Sequence, residues 1–240
     1  MFQNECNERV KNYEHDEKLQ RSSKSFIENT IRTKYSYNFS WMGRPIIQYP
    51  QDIMAMQEII WMVKPDLIIE TGIAHGGSLI FYASMLELIG GKGKVLGIDI
   101  DIREHNHREI EKHQMFKRIT MIEGSSTDEK VIEKVKKRAR GKKRVLVSLD
   151  SLHTHDHVLR ELEAYSPLVT RGSYCVVFDT IVEDLSDKYS EDRPWSIGNN
   201  PKTAVWEFLK KTDRFVIDKN IENKLLITVA PDGYLKCVKD

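Results

Sequence analysis

The sequence predicts an α/β protein: a doubly wound, mostly parallel seven-stranded sheet that ends in an antiparallel hairpin strand. Three observations carry this. Five short apolar runs, DLIIET (66–71), KVLGIDI (94–100), RITMIEG (118–124), RVLVSLD (144–150) and SYCVVFD (173–179), are nearly continuous and rich in β-branched residues, as strands buried on both faces must be. Between them lie segments of helical period, SLIFYASMLELI, REHNHREIEKH, DEKVIEKVKKRA and DHVLRELEAYSPLV. Strands alternating with helices imply crossover units of one hand and hence a parallel sheet. Finally, after a helix KTAVWEFLKK, the runs RFVIDK and KLLITVA are divided only by Asn220 to Asn223, which suits an antiparallel turn and cannot house a crossover helix.

Upstream of the first strand, residues 1–37 form a polar arm with a helical pattern around Phe26, Ile27 and Ile31, able to pack on the body or on another subunit. The remaining 38–240 are expected to form one domain. NFSWMGRPIIQYPQD is irregular, with Trp41, Gly43, Pro45 and Pro50, and leads into a helix MAMQEIIWMV that stops before Pro65, with Asp52 as its expected cap.

Composition narrows the class. In 240 residues, 37 basic side chains nearly cancel 36 acidic ones, so no global charge favours nucleic acid, and 40% hydrophobic content argues against disorder. Three distant cysteines, Cys6, Cys175 and Cys237, make neither a disulfide framework nor a cysteine zinc site. No stretch is long and apolar enough for a membrane span or signal peptide, and a cytoplasmic location is expected.

Chemistry concentrates at the carboxyl ends of the predicted strands. The first is followed by Glu70-Thr71-Gly72-Ile73-Ala74-His75-Gly76-Gly77-Ser78 and an apolar helix. Its glycines permit a tight turn and close approach to a ligand, and the helix start offers free amides. The second strand ends GIDID, where Asp99, or failing that Asp101, is placed to accept hydrogen bonds from ribose hydroxyls. The third ends EGSSTDE, where Ser125 and Ser126 serve an adenine edge, a helix cap, or both. The fourth runs into SLDSLHTHDH (148–157), with Asp150 at its end and His153, His155 and His157 beyond, and the fifth ends at Asp179.

LIIETGIAHGGSLIFYASMLEL, SLDSLHTHDHVLRELEAYSPLV and NKLLITVAPDGYLK together resemble the cephalosporin hydroxylase and rhamnosyl O-methyltransferase family, over about Tyr37 to Leu235. The sheet pattern likewise resembles the class I methyltransferase fold. The resemblance implies an S-adenosylmethionine-dependent O-methyltransferase acting on a hydroxyl of a sugar or small natural product, assisted by Mg²⁺. It implies that Glu70, Gly72, Ala74, Gly76 and Ser78 line the methionine and ribose side, that Asp99 takes the ribose, and that Ser125 and Ser126 lie near the adenine. It places Asp150 and Asp179 on the cation, Asp150 also beside the cofactor, and His153 where related enzymes hold a base near the acceptor hydroxyl; His155 is the second choice and His157 is expected to be structural. The chain departs from the family at Phe178, a phenyl ring where relatives show the first of two acidic residues, and at Leu152, where a polar side chain is expected.

Other readings use other features. Lys134 to Arg144 holds eight basic residues in eleven, which as an RNA-binding helix would make the protein an RNA methyltransferase; a solvated helix end is favoured. An iron-dependent hydroxylase would need His153, His155 and Asp150 to converge. Loss of the cation through Phe178 would leave a catalytically reduced cofactor-binding subunit. The irregular 181–203 stretch, with Trp195 as a sugar or ring platform, is expected to cover the acceptor site. A homo-oligomer is expected.

Overall fold

The structure is a computed structural model that describes residues 2–186 and 192–240. Its sheet contains β3 (Leu67–Thr71), β4 (Lys94–Asp99), β5 (Ile119–Glu123), β6 (Val145–Leu149), β7 (Tyr174–Val177), β8 (Phe215–Ile217) and β9 (Tyr234–Cys237). The order is β5-β4-β3-β6-β7-β9-β8, with β9 antiparallel to both neighbours and the other pairings parallel. A small hairpin, β1 (Ser40–Trp41) with β2 (Arg44–Pro45), precedes it.

Strand alternation divides the core in two. Ile68, Val95, Leu146, Tyr174 and Val176 face one side, under α3 (Pro50–Val63) and α4 (Gly77–Ile89). Leu67, Ile69, Leu96, Ile98, Val147, Leu149, Cys175 and Val177 face the other. That second layer is covered by α6 (Glu129–Ala139), α7 (His155–Tyr165) and α8 (Pro201–Lys211). Each fully buried aliphatic side chain here contributes about 1.5–3 kcal/mol, so the two faces supply most of the drive to fold.

Caps set the helix starts as the chemistry of the chain dictates. Asp128 accepts from the Lys130 and Val131 amides ahead of α6, and Asn200 forms a capping box with Thr203 ahead of α8. Gly141, in the left-handed region at φ 77°, follows the last turn of α6, whose basic side chains are exposed. The arm residues form α1 (Phe2–His15) and α2 (Glu17–Arg32), which lie against the body: Asn223 donates to Glu14, Thr30 meets the Tyr49 hydroxyl, and Ile27 is buried.

Two local expectations are corrected. The final strand is YLKC, not KLLITVA: Lys219–Leu225 is a short helix, α9, so the connection between the antiparallel strands is longer than a tight turn. The Lys219–Glu222 pair, three residues apart, supports a helical turn, and Leu225 closes it, so the Leu-Leu-Ile run does not form a strand. Asp52 does not cap α3, which begins at Pro50 after Tyr49. It is fully buried instead, and accepts from the Thr228 hydroxyl, the Tyr234 hydroxyl (2.7 Å) and the Val229 amide (3.0 Å).

Burial is the main reason the Asp52 carboxyl is pushed up to about 6. An Asp whose folded pKa exceeds its unfolded value near 3.9 gives stability that is present at low pH and lost as pH rises between the two. Asp52→Ala is expected to cost about 2–4 kcal/mol by stranding three buried donors. In denaturant unfolding, the wild-type advantage should narrow from about pH 4 to about pH 6; a widening would contradict the assignment.

Candidate active site

The site is built where the glycine loop crosses from β3 to α4. Gly72 has φ 87°, and a Cβ there would lie 1.9 Å from the Asp150 carbonyl oxygen. Only glycine allows that passage, and it brings the loop onto the end of β6, where the Asp150 amide also donates to the Thr71 carbonyl. Asp99 braces the loop from β4: one carboxylate oxygen accepts from the Ile73 and Ala74 amides at 2.7 and 3.2 Å, the other from the Asp101 amide. Ala74, exposed and at φ 47°, and Gly76, at φ 79° beside Ile110, complete the turn.

Beneath the loop, Glu70 is fully buried and accepts from the Ser78 hydroxyl at 2.8 Å through one oxygen. Burial holds its carboxyl well above the usual range. A third support comes from the hairpin. Arg44 donates to the His75 carbonyl at 2.6 Å and to Asn106, whose amide returns to the Ala74 carbonyl. Sequence reasoning missed Arg44 and Asn106; an arginine inside an irregular segment between two apolar pairs was the available signal.

Across the cavity, β6 and β7 deliver a second constellation. The His153 ring lies between two carboxylates, Nδ1 3.1 Å from Asp179 Oδ2 and Nε2 3.5 Å from Asp150 Oδ1. Their ligand atoms all fall within 4.8 Å of one another, a spacing that fits a single cation. Burial pushes the imidazole down, but Asp179 and Asp150 outweigh it and leave the pKa raised. Burial raises the Asp179 carboxyl, Asp150 adds to this, and His153 opposes both. Asp179 itself sits at φ 54°, a conformation uncommon outside glycine.

The other histidines separate. His155 turns to α8, with Nδ1 2.8 Å from Thr203 and Nε2 3.1 Å from Glu207, so it stands away from the cluster. The His153, His155 and Asp150 triad of an iron hydroxylase is therefore not assembled. His157 joins a buried network, 3.1 Å from both Ser126 and Ser151, with Glu161 beneath at 3.4 Å. Ser126 thus spends its hydroxyl on His157, and Ser125 bonds Thr127. The helix cap expected in this stretch is Asp128 alone.

Phe178 is 2% exposed and belongs to the core on the α3 and α4 side. Leu152 is exposed. The Trp195 ring stands 4.8 Å from the His153 ring, with the Arg193 guanidinium 5.3 Å from the Trp195 centroid. The two ends of that loop are held by Glu183, which accepts from the Gly198 amide and Asn200, and by Asp184, which pairs with Lys202. Residues 187–191 of the expected acceptor cover lie outside the described residues.

One cavity of about 200 Å³ joins the halves, lined by Gly72, Ala74, Gly77 and Ser78 on one side and Asp150, His153 and Asp179 on the other. A glycine loop at the first strand, an acid at the second and two carboxylates at the fourth and fifth, on a sheet whose last strand inserts antiparallel, define a class I methyltransferase. The particular family is the rhamnosyl O-methyltransferase/CmcI family, to which this chain belongs: its family model matches residues 33–238.

The rhamnosyl O-methyltransferase of Mycobacterium tuberculosis H37Rv is 30% identical over 217 residues, covering 88% of this chain and 82% of its own. That of Mycobacterium leprae is 32% identical over 142 residues, 59% of this chain and 60% of its own. Among solved structures, CmcI with Mg and SAM superposes with TM-score 0.59 at 20% identity, covering 85% of this chain and 78% of that one. An O-methyltransferase from Bacillus cereus in complex with SAH gives 0.53 at 13%, covering 84% and 82%. At these identities the structures establish the fold.

Gly72→Ala is expected to abolish S-adenosylhomocysteine binding in calorimetry and to destabilise the chain by roughly 3 kcal/mol or more, because strain and the clash with Asp150 act together. Retained binding would show that the loop does not depend on this approach.

Proposed function

We propose that the chain transfers a methyl group from S-adenosylmethionine to a hydroxyl of a deoxysugar or a small glycosylated natural product, with a divalent cation held by Asp150 and Asp179. The observation that carries this is the cavity joining the glycine loop to the Asp150, His153 and Asp179 cluster. The relatives named for rhamnosyl O-methylation support a sugar acceptor.

The donor set fits the cation. Two carboxylates offer the hard oxygens Mg²⁺ prefers, and Phe178, turned into the core, leaves further coordination positions to water. Bound there, a divalent cation lowers the pKa of an acceptor hydroxyl and fixes its direction.

The protein's own groups do the rest. Asp99 and the loop amides orient the ribose side, and Glu70 and Ser78 hold the methionine side. His153, between the carboxylates, takes the hydroxyl proton as the acceptor oxygen bonds the methyl carbon and the carbon–sulfur bond breaks, releasing S-adenosylhomocysteine. Trp195 gives the sugar an apolar face beside His153 and excludes water.

We also place the enzyme in the cytoplasm as a homo-oligomer. Its cysteines are free, and Met54, Trp61 and Met62 expose apolar surface on α3. Among the described residues, no helix is long and apolar enough to cross a membrane.

Calorimetry with S-adenosylhomocysteine, with and without Mg²⁺, tests the core of the reading. Binding is expected, and Asp179→Asn should remove any response to Mg²⁺ while leaving nucleoside affinity within about threefold; no binding by the wild type would sink the assignment. For Trp195→Ala, steady-state kinetics on a rhamnoside acceptor should show KM raised about tenfold, matching the loss of one aromatic contact, with donor KM unchanged. An unchanged acceptor KM would remove Trp195 from the site.

A further inference from the structure

The turn that carries His153 has little backbone support. Residues 151–154 lie between β6 and α7, and among the described residues none of their amides donates to a backbone carbonyl. On one side the Asp150 amide is held by the Thr71 carbonyl, and on the other the His155 amide donates to the Asn199 side chain at 2.9 Å. The aim of Asp150 and His153 therefore depends on side-chain contacts made within the turn.

One face of α7 supplies them. His157, Glu161 and Tyr165 follow at four-residue spacing and reach the segments that leave β5 and β6. The Ser151 hydroxyl donates to Glu161 Oε1 at 2.7 Å. With its proton so committed, the Ser151 oxygen can only accept from His157, 3.1 Å away, which places the proton of that ring on Nε2. The same nitrogen meets the Ser126 hydroxyl at 3.1 Å, and the Tyr165 hydroxyl donates to the Ser126 carbonyl. Two segments whose strands are separated in the sheet by β4 and β3 are thus fastened to one helix.

Glu161 is fully buried, and its other oxygen, Oε2, meets no hydrogen-bond partner among the described residues. The carboxylate serves Ser151 and His157 alone. Taking a carboxylate out of water is costly, and an apolar side chain would fill the place at less cost, so what the charge secures is the geometry of those two contacts. Ser151 in turn lines the cavity beside Asp150, and a Cβ on Gly72 would lie 3.2 Å from its Cα, so the turn has no room to shift towards the glycine loop.

We propose that Glu161 is a positioning residue for the methyl transfer: through Ser151 it holds the turn that aims Asp150 and His153 at the cation and the acceptor hydroxyl. The assignment rests on the proposed cation site at Asp150 and Asp179.

The test separates the two halves of the cavity. Calorimetry of Mg²⁺ into the chain saturated with S-adenosylhomocysteine should show the affinity of Glu161→Ala weakened about ten- to a hundredfold, while its affinity for S-adenosylhomocysteine stays within about threefold of the wild type. Ser151→Ala, which serves where the first variant fails to fold, should give the same split, and the double variant should weaken Mg²⁺ no further than Glu161→Ala because the two side chains act as one contact. Glu161→Gln keeps an oxygen for the Ser151 hydroxyl and should return Mg²⁺ affinity to within about threefold of the wild type. Unchanged Mg²⁺ affinity in a folded variant, equal weakening of both ligands, or additive losses in the double variant would mean that Glu161 only packs; each overturns the assignment. A wild type that binds S-adenosylhomocysteine but no Mg²⁺ overturns the cation reading and this one with it.

Discussion

The near-contact of two backbones, Gly72 against the carbonyl of Asp150, governs the architecture of the site. Strands β3 and β6 are neighbours in a parallel sheet, paired Thr71 to Leu149, so their carboxyl ends arrive together. The two loops that leave those ends must then share one small space. The absence of a side chain at Gly72 lets the loop from β3 fold over the end of β6 instead of being pushed away. That single permission sets the placement of α4, the bracing by Asp99, and a cavity that has the glycine loop on one wall and carboxylates on the other.

The opposite wall is organised by charge. Asp150 and Asp179 come from adjacent strands, and two carboxylates so close repel one another in a half-buried setting. His153, lying between them, offsets that repulsion whenever it carries a proton. The cluster is therefore assembled by the protein's own groups, and the same field that holds the imidazole proton weakens once positive charge is supplied from elsewhere.

Much of this was legible in the sequence because it depends on periodicity and strand ends. Five apolar runs fixed the parallel sheet, and Asp99, Asp150 and Asp179 were identifiable because an acid just past a buried strand has few places to go. Residues whose roles come from distant pairing were harder. Asp52 looks like a cap from its neighbours, and only the arrival of Thr228 and Tyr234 turns it inward. Arg44 and Asn106 sit in segments without regular pattern, where no spacing rule applies. The resemblance ranks His153 ahead of His155 and gives His157 a structural part, but where the rings turn is set by the docking of α8 on one side and of Glu161 on the other. By position in the string Phe178 vacates a ligand site; burial in the core gives the ring a packing role instead.

The position of β9 bears on how the chain reaches this state. It comes after β8 in the sequence yet lies between β7 and β8, and among the described residues β8 pairs with no other strand. A growing chain can therefore collapse its first five parallel strands as crossover units while β8 waits unpaired, and the sheet closes only when β9 slides into the gap. That late step also delivers Tyr234 to Asp52, across a separation of 182 residues. Contacts of such long range form slowly, so an open edge on β7 persists through synthesis, and it is at this edge that a folding chain would be most open to capture by another strand.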